Sequence, residues 1–270
     1  MASLYLVATP IGNLEDISLR ALRVLGEVSL IAAEDTRRTR KLLAKYGIRT
    51  PLVSYHEHNK RVKTDYVMER LAEGDVALVS DAGMPGMSDP GYELVVAASE
   101  RGVPVVPVPG PSVVVSALVV SGLPTDRFIY LGFLPRRAGS RRRLLASIAD
   151  EVGTIVILEA PHRLPATLED VLNVLGDRRI AVCRELTKIH EEIFRGVVSE
   201  ALAHFGQPRG EFTIVIAGRE EVERRLTDEI EQELGRRRRS GITAREAITG
   251  LARETGLSRR ELYRAWLKLA

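Results

Sequence analysis

The chain is nearly devoid of cysteine: Cys183 is the only one in 270 residues. A lone thiol excludes internal disulfides and any zinc site built from several thiolates. Because it follows the apolar run Ile180-Ala181-Val182, it reads as a buried structural thiol. The sequence also lacks any G-x-G and any Gly-Lys pair. The first absence removes the dinucleotide fingerprint and the second removes the P-loop. A membrane span is not expected either. The uncharged stretch from Gly102 to Thr125 is interrupted by Pro104, Pro107, Pro109, Pro111 and Pro124, which suits a strand, a turn and a buried helix better than a spanning helix. Met1 to Leu6 has neither a basic segment nor a small-residue cleavage site, so no signal peptide is read and a cytoplasmic protein is expected. Repeats and low-complexity tracts are missing too.

What is present is a balanced composition, 45% hydrophobic and 28% charged, with a formal net charge of +3. That length can fill two α/β domains or one large one with an appendage. The mild positive balance is compatible with a polyanionic partner without requiring one. Short apolar runs alternate with helical patterns over the first part: strands at 4–8, 28–33, 76–79 and 103–107, helices at 18–25, 38–46, 67–71 and 92–99. In the helix at 18–25, Leu19, Leu22 and Leu25 are expected to form the packed face. This βαβ rhythm predicts a mainly parallel sheet covered on both sides. A helix at 113–119 follows, then strands at 128–133, 154–158, 180–184, 193–197 and 212–217, with a short helix near Ala201. The last pair of strands implies a mixed sheet.

The expected architecture is therefore α/β with two domains, 1–112 and 113–219, and a helical appendage, 220–270. The appendage begins with a charged helix over 221–239. Helices at 243–255 and 258–269 come next, each opened by a capping box, Thr243 with Glu246 and Ser258 with Glu261. The spacing reads equally as a helix-turn-helix and as a plain helical hairpin.

Four loops follow predicted strands and are rich in Gly, Pro and small polar residues: 9–13, 34–37, 80–91 and 109–112. In open parallel sheets, ligands bind beyond the carboxyl ends of strands. Glycine lets a backbone approach a ligand, and proline limits the entropy lost on binding. Four such loops at one sheet edge mark a ligand site.

The motifs Thr9-Pro10-Ile11-Gly12-Asn13-Leu14-Glu15-Asp16, Ala33-Glu34-Asp35-Thr36-Arg37, Ser54-Tyr55-His56-Glu57-His58-Asn59 and the loop from Asp81 to Gly91 resemble those of the tetrapyrrole methylase superfamily. The resemblance is to its ribosomal RNA small subunit methyltransferase I branch. Glu159-Ala160-Pro161-His162-Arg163, Arg184-Glu185-Leu186-Thr187-Lys188 and Gly210-Glu211-Phe212 fit as well. The resemblance covers about residues 3 to 219. Pro10-Ile11-Gly12 stands where the porphyrin-precursor branch has a Gly-Pro-Gly type of loop, and this favours the RNA branch.

The resemblance implies a two-domain tetrapyrrole-methylase-like fold holding S-adenosyl-L-methionine in a cleft and releasing S-adenosyl-L-homocysteine. It implies a homodimer that 2′-O-methylates a cytidine ribose in 16S ribosomal RNA of the 30S subunit. By motif position, Pro10, Gly12, Asp81, Gly83, Met84, Ser88, Ser112 and Val113 would line one side of the cofactor cleft, with Leu158, Ala160, Leu186 and Phe212 on the other.

Transfer of a methyl group from a sulfonium to oxygen is an in-line displacement by a weakly acidic hydroxyl. The donor carries its own activation, so no metal is required, and the five histidines give little support for one. Candidates for the base or its electrostatic partner are Glu185, Lys188 and Asp35, with His56, Glu57 and Asp81 behind them. Taken singly, each reads more readily as a loop cap or a surface ion pair. Arg37, Arg38, Arg40 and Lys41 form one basic cluster, and Arg136, Arg137, Arg141, Arg142 and Arg143 a second. These two are expected to face RNA; Arg236 to Arg239 make a third block. The rival readings are a methyltransferase acting on a corrin or sirohaem precursor and a non-enzymatic nucleic-acid-binding protein.

Overall fold

The computed structural model describes residues 2–220 and 226–268. Residues up to Arg219 form one compact unit, and those from Glu220 form another.

The first unit holds two five-stranded sheets. One contains β1 (Leu4–Val7), β2 (Leu30–Ala33), β3 (Leu52–Ser54), β4 (Val76–Val79) and β5 (Val105–Val108), in the order β3-β2-β4-β1-β5. All its pairings are parallel. Its strands are runs of apolar residues, such as Val76-Ala77-Leu78-Val79, because both faces are covered. Alternate residues feed two separate cores. Val7, Ile31, Ala33, Ala77 and Val79 pack with α1 (Leu19–Glu27) and α2 (Thr36–Lys45). Leu4, Leu30, Ala32, Val76 and Leu78 pack with α3 (Lys60–Glu73) and α4 (Tyr92–Glu100).

α1 starts where expected, with the Ser18 hydroxyl accepting from the Ala21 amide. Its packed face differs from the leucine stripe read from sequence. Ala21, Val24 and Leu25 are buried, Leu22 packs at the edge of the core, and Leu19 is 86% exposed. Small residues bring this helix close to the sheet, and its first turn projects into solvent.

The other sheet contains β6 (Phe128–Phe133), β7 (Thr154–Glu159), β8 (Arg179–Arg184), β9 (Glu192–Val197) and β10 (Phe212–Ile216), in the order β6-β7-β10-β8-β9. β6 and β7 are parallel, and the remaining pairs are antiparallel. One face packs on α6 (Ala138–Ser147), α7 (Leu164–Leu175) and α8 (Val198–His204) through Ile155, Ile157, Val182 and Ile214. The opposite face, through Val156, Ala181, Cys183 and Val215, packs on α5 (Val113–Val120). Ile11 and Leu186 join that same cluster, so the loop after β1 is packed into the core of the other sheet.

In the second unit, α9 (Asp228–Arg239), α10 (Ala244–Thr255) and α11 (Arg259–Lys268) enclose a small core of Leu234, Ile248, Leu251, Leu262 and Trp266. Of the two expected capping boxes, that at Ser258 is complete, with Ser258 N–H donating back to Glu261 Oε2, while at Thr243 the backbone N–H is not part of it and the hydroxyl donates to Glu246 Oε2 instead. Glu246 N–H donates to Thr243 Oγ1 and Glu261 N–H to Ser258 Oγ. The expected helix over 221–239 begins at Asp228, capped by Thr227; residues 221–225 and Leu269 lie outside the described residues. No helix among the described residues is long and apolar enough to cross a membrane.

Candidate active site

The four Gly- and Pro-rich loops leave the carboxyl ends of β1, β2, β4 and β5, which are contiguous in the sheet. Hydrogen bonds stitch three of them together. Thr9 N–H donates to Gly83 O, and Gly83 N–H to Thr9 O, both at 2.9 Å. Asp81 N–H donates to Glu34 Oε2 at 3.1 Å, and Asp35 N–H to Asp81 Oδ1 at 3.0 Å. Arg38 Nη1 lies 3.2 Å from Asp81 Oδ2. In the fourth loop, Ser112 caps α5 through Val115 N–H.

The connection from β8 to β9 faces these loops. Glu185 at φ 51° and Thr187 at φ 66° occupy the left-handed region, which residues with a Cβ rarely adopt and which collects at functional sites. The turn is held by Thr187 N–H donating to Glu191 Oε2 at 2.6 Å and Lys188 N–H to Glu185 O at 3.0 Å. It meets the β1 loop directly, since Asn13 N–H donates to Thr187 Oγ1 at 2.9 Å. Gly12 has no room for a side chain there. A Cβ would lie 2.6 Å from both Lys188 Cγ and Thr187 Oγ1, and 2.9 Å from Leu186 O.

Between the two sets of loops is a cavity of about 280 Å³, lined by Thr9 to Gly12, Leu14, Arg38, Lys41, Ser80 to Ala82, Lys188 and Glu211 among others. A recess of about 30 Å³ shares Ile11, Lys188 and Glu211 with it and adds Val113, Cys183, Glu185, Leu186 and Thr213.

The cavity wall is strongly charged. Lys188 Nζ lies 2.9 Å from both Glu185 Oε1 and Glu211 Oε2. Glu211 N–H also donates to Glu185 Oε1 at 2.8 Å. Burial works to raise the Glu185 carboxyl, but the Lys188 and Glu211 hydrogen bonds outweigh it and leave its pKa below the ordinary value. Burial likewise works to lower Lys188, and the two carboxylates win, so its pKa is raised. The pair is thus a charged carboxylate and a charged ammonium at neutral pH, and Lys188 has no free lone pair to take a proton. Across the rim, burial, then the charge of Glu34, push the Asp89 carboxyl up to about 7, against a hydrogen bond from Ser80. Glu34 is raised by burial as well.

The residues singled out in the sequence fall into several places. Pro10, Gly12 and Asp81 line the larger cavity, and Val113 and Leu186 the recess. Gly83 is tied to Thr9, and Met84 follows it. Ser88, itself at φ 65°, is hydrogen-bonded to Tyr130 Oη at 2.8 Å. Leu158 pairs with Thr213, two residues along β7 from Val156 and so on the face toward α5; Ala160 follows β7. Phe212 is a correction. Its side chain is 2% exposed and lies in the opposite core against Phe205, so it cannot line the cleft. Its neighbours Glu211 and Thr213 line the cavity and the recess. The alternation Phe212, Ile214, Ile216 against Thr213, Val215 carried this signal in the sequence.

Asp35 is occupied otherwise. It caps α2 through Arg37 N–H at 2.8 Å and binds the Arg37 guanidinium at 2.7 Å. Those Arg37 hydrogen bonds hold its carboxyl far below the usual range, which makes it a poor base. Of the basic residues, Arg38 lines the cavity, Arg37 is paired, and Arg40, Arg136, Arg137 and Arg142 are exposed. Arg141 is another correction. It is 5% exposed, and its guanidinium is bound to Asp170 at 2.6 Å, so it ties α6 to α7 and does not meet solvent. Arg142 shares Asp170 from the outside, also at 2.6 Å. In the third block, Arg237 binds Glu233 and Glu254, and Arg238 donates to Trp266 O.

Residues 3–202 match the family of tetrapyrrole (corrin/porphyrin) methylases. The chain is 49% identical to the ribosomal RNA small subunit methyltransferase I of Synechocystis sp., over 100% of this chain and 99% of that protein. It is 53% identical to the same-named protein of Thermotoga maritima, over 82% of this chain and 100% of the other. The Bacillus subtilis protein of that name is 45% identical over 98% and 94%. Among solved structures, uroporphyrin-III-C-methyltransferase from Thermus thermophilus shares the fold at a TM-score of 0.56 and 24% identity, over 80% of this chain and 94% of that one. The stitched loops, the two sheets and these relatives agree: the chain belongs to the tetrapyrrole (corrin/porphyrin) methylase family, in the branch whose members are named ribosomal RNA small subunit methyltransferase I.

Proposed function

We propose that this chain transfers the methyl group of S-adenosyl-L-methionine to the 2′-hydroxyl of a cytidine in 16S ribosomal RNA of the 30S subunit, leaving S-adenosyl-L-homocysteine. The observation that carries the reading is the 49% identity, along the whole chain, to a protein named for methylation of small-subunit ribosomal RNA. The residues at the cavity suit the donor. Bare main chain at Pro10 to Gly12 and Ala82 to Gly83 leaves room for close approach, and the Asp81 carboxylate complements a cationic sulfonium or amino group. The donor supplies an activated methyl carbon when bound.

The remaining tasks fall to the chain itself. Gly12, Leu186 and Thr187 hold the two loop sets together around the cavity and limit its exposure to water. Lys188 places a fixed positive charge beside the reacting hydroxyl and favours its anionic form. Arg38 and Lys41 at the cavity, with Arg40, Arg136, Arg137 and Arg142 outside it, attract phosphates. Residues 1–112 and 113–219 act as the two halves of the cleft, the helical unit from Glu220 adds basic surface, and the protein works in the cytoplasm as a homodimer.

The test is mass mapping of 16S ribosomal RNA from cells lacking the protein, followed by incubation of their 30S subunits with the purified protein and labelled donor. One cytidine ribose methyl is lost and then restored. If every ribose methyl survives the deletion, or uroporphyrinogen takes the label in place of RNA, the assignment fails.

A further inference from the structure

We propose that Glu211 is a catalytic residue, the group that receives the proton from the substrate hydroxyl, while Glu185 and Lys188 hold it in place. The proposal rests on the methyl-transfer reading above and names the acceptor that reading leaves open.

The geometry separates the three charges by role. Glu185 is the inner carboxylate. Its Oε1 accepts from both Lys188 Nζ and Glu211 N–H, its side chain is only 19% exposed, and it lines the small recess rather than the larger cavity. Lys188 is an ammonium between two carboxylates and has no lone pair to offer. Glu211 differs in exposure and in place. Its side chain is 74% exposed and stands in the cavity wall. Its Oε2 accepts from Lys188, and Oε1 has no partner among the described residues. Two carboxylates around one ammonium leave the trio with a net negative charge, and of the two only Glu211 is largely exposed in the wall of the larger cavity.

The backbone is built to keep it there. Gly210, at φ 89°, has no space for a Cβ, which would lie 2.5 Å from Glu185 Cγ. Glu185 itself sits at φ 51°, and the two segments are cross-tied by Glu185 N–H donating to Glu211 O at 2.9 Å. Left-handed backbone, which a residue with a Cβ rarely adopts, at two facing positions sets one carboxylate at the cavity.

Atoms balance without a further reactant. The hydroxyl O–H bond breaks toward Glu211 Oε1, the freed oxygen pair forms the bond to the methyl carbon, and the carbon–sulfur pair returns to sulfur. Glu211, then neutral, passes its proton to water. The charged groups around it are Glu185 and Lys188 from the β8–β9 connection and, in the wall of the same cavity, Arg38 and Lys41 from α2 and Asp81 from the β4 loop.

Glu211→Gln in the full-length protein tests this on 30S subunits from cells lacking it. Removal of a general base lowers kcat by about 100-fold or more. KM for subunits and the affinity for S-adenosyl-L-homocysteine stay within a few fold, and the fall in rate on the acid side of the wild-type pH profile disappears. Glu211→Asp, which keeps a carboxylate, recovers part of the rate and that acidic limb. A Gln variant with wild-type kcat, with an unaltered acidic limb, or with a rate loss matched by lost affinity for S-adenosyl-L-homocysteine overturns the proposal. Wild-type protein that transfers no methyl group to the subunits overturns the methyltransferase reading and this assignment with it.

Discussion

Adding one methyl group at residue 12 forces the β1 loop and the β8–β9 connection apart, because backbone oxygen and two side chains already occupy the space. Overpacking of this kind costs about 1–3 kcal/mol. Gly12→Ala therefore weakens S-adenosyl-L-homocysteine binding roughly 10-fold or more, measured by calorimetry, with little change in helix content. Asp89 carries a different signature. Its folded carboxyl titrates at about 7, against the ordinary 3.8. As pH rises between those values the unfolded chain releases this proton while the folded chain keeps it, so stability falls by about 1.4 kcal/mol per unit and levels off above about 7. Asp89→Asn removes that loss. It melts above the wild type at pH 8, and the gap closes toward pH 4; equal destabilisation at both pH values contradicts the account. Neither effect was legible in the sequence. Gly12 stood out as a loop glycine, but what crowds it, Leu186, Thr187 and Lys188, belongs to a connection of the other sheet, and the Asp89 environment depends on burial that no motif encodes.

At the level of elements, the strands were readable wherever both faces are covered, because an apolar run such as Val76 to Val79 has only one reading between turn residues. β3, a three-residue edge strand, and α6 and α7 escaped it. α6 begins Ala138-Gly139-Ser140 and carries three consecutive arginines, so its helical period is masked by charge. The reason those arginines are tolerated is tertiary. Arg141 and Asp170 side chains are 6% and 3% exposed and neutralise one another between α6 and α7. Asp170→Ala leaves a buried guanidinium unpaired and costs about 3–5 kcal/mol, read as a large drop in denaturant midpoint. Arg142→Ala, on the exposed side of the same carboxylate, costs far less. Equal losses from the two variants would show that the pair is not the tie. A charge run read from sequence as a binding face is thus divided by folding into one buried structural arginine and several exposed ones, of which Arg142 shares the same carboxylate.

For the molecule as a whole, the fold class and the sheet edge that carries the site followed from the order of apolar runs and from four loops of unusual composition. The composition of the opposite wall did not. Which residues of β10 face the cavity is decided by strand register, and a shift of one residue exchanges Phe212 for Thr213. The Glu185–Lys188–Glu211 trio depends on left-handed backbone at Glu185 and Gly210, which follows from packing and from no residue type alone. The central claim is that loops from both sheets form one pocket for the methyl donor. A crystal structure with S-adenosyl-L-homocysteine tests it most directly. The ligand is predicted between residues 9–13 and 80–84 on one side and 185–188 on the other, with its sulfur facing the cavity that holds Glu211; density for it elsewhere on the chain, or a pocket that touches only one sheet's loops, would contradict the account.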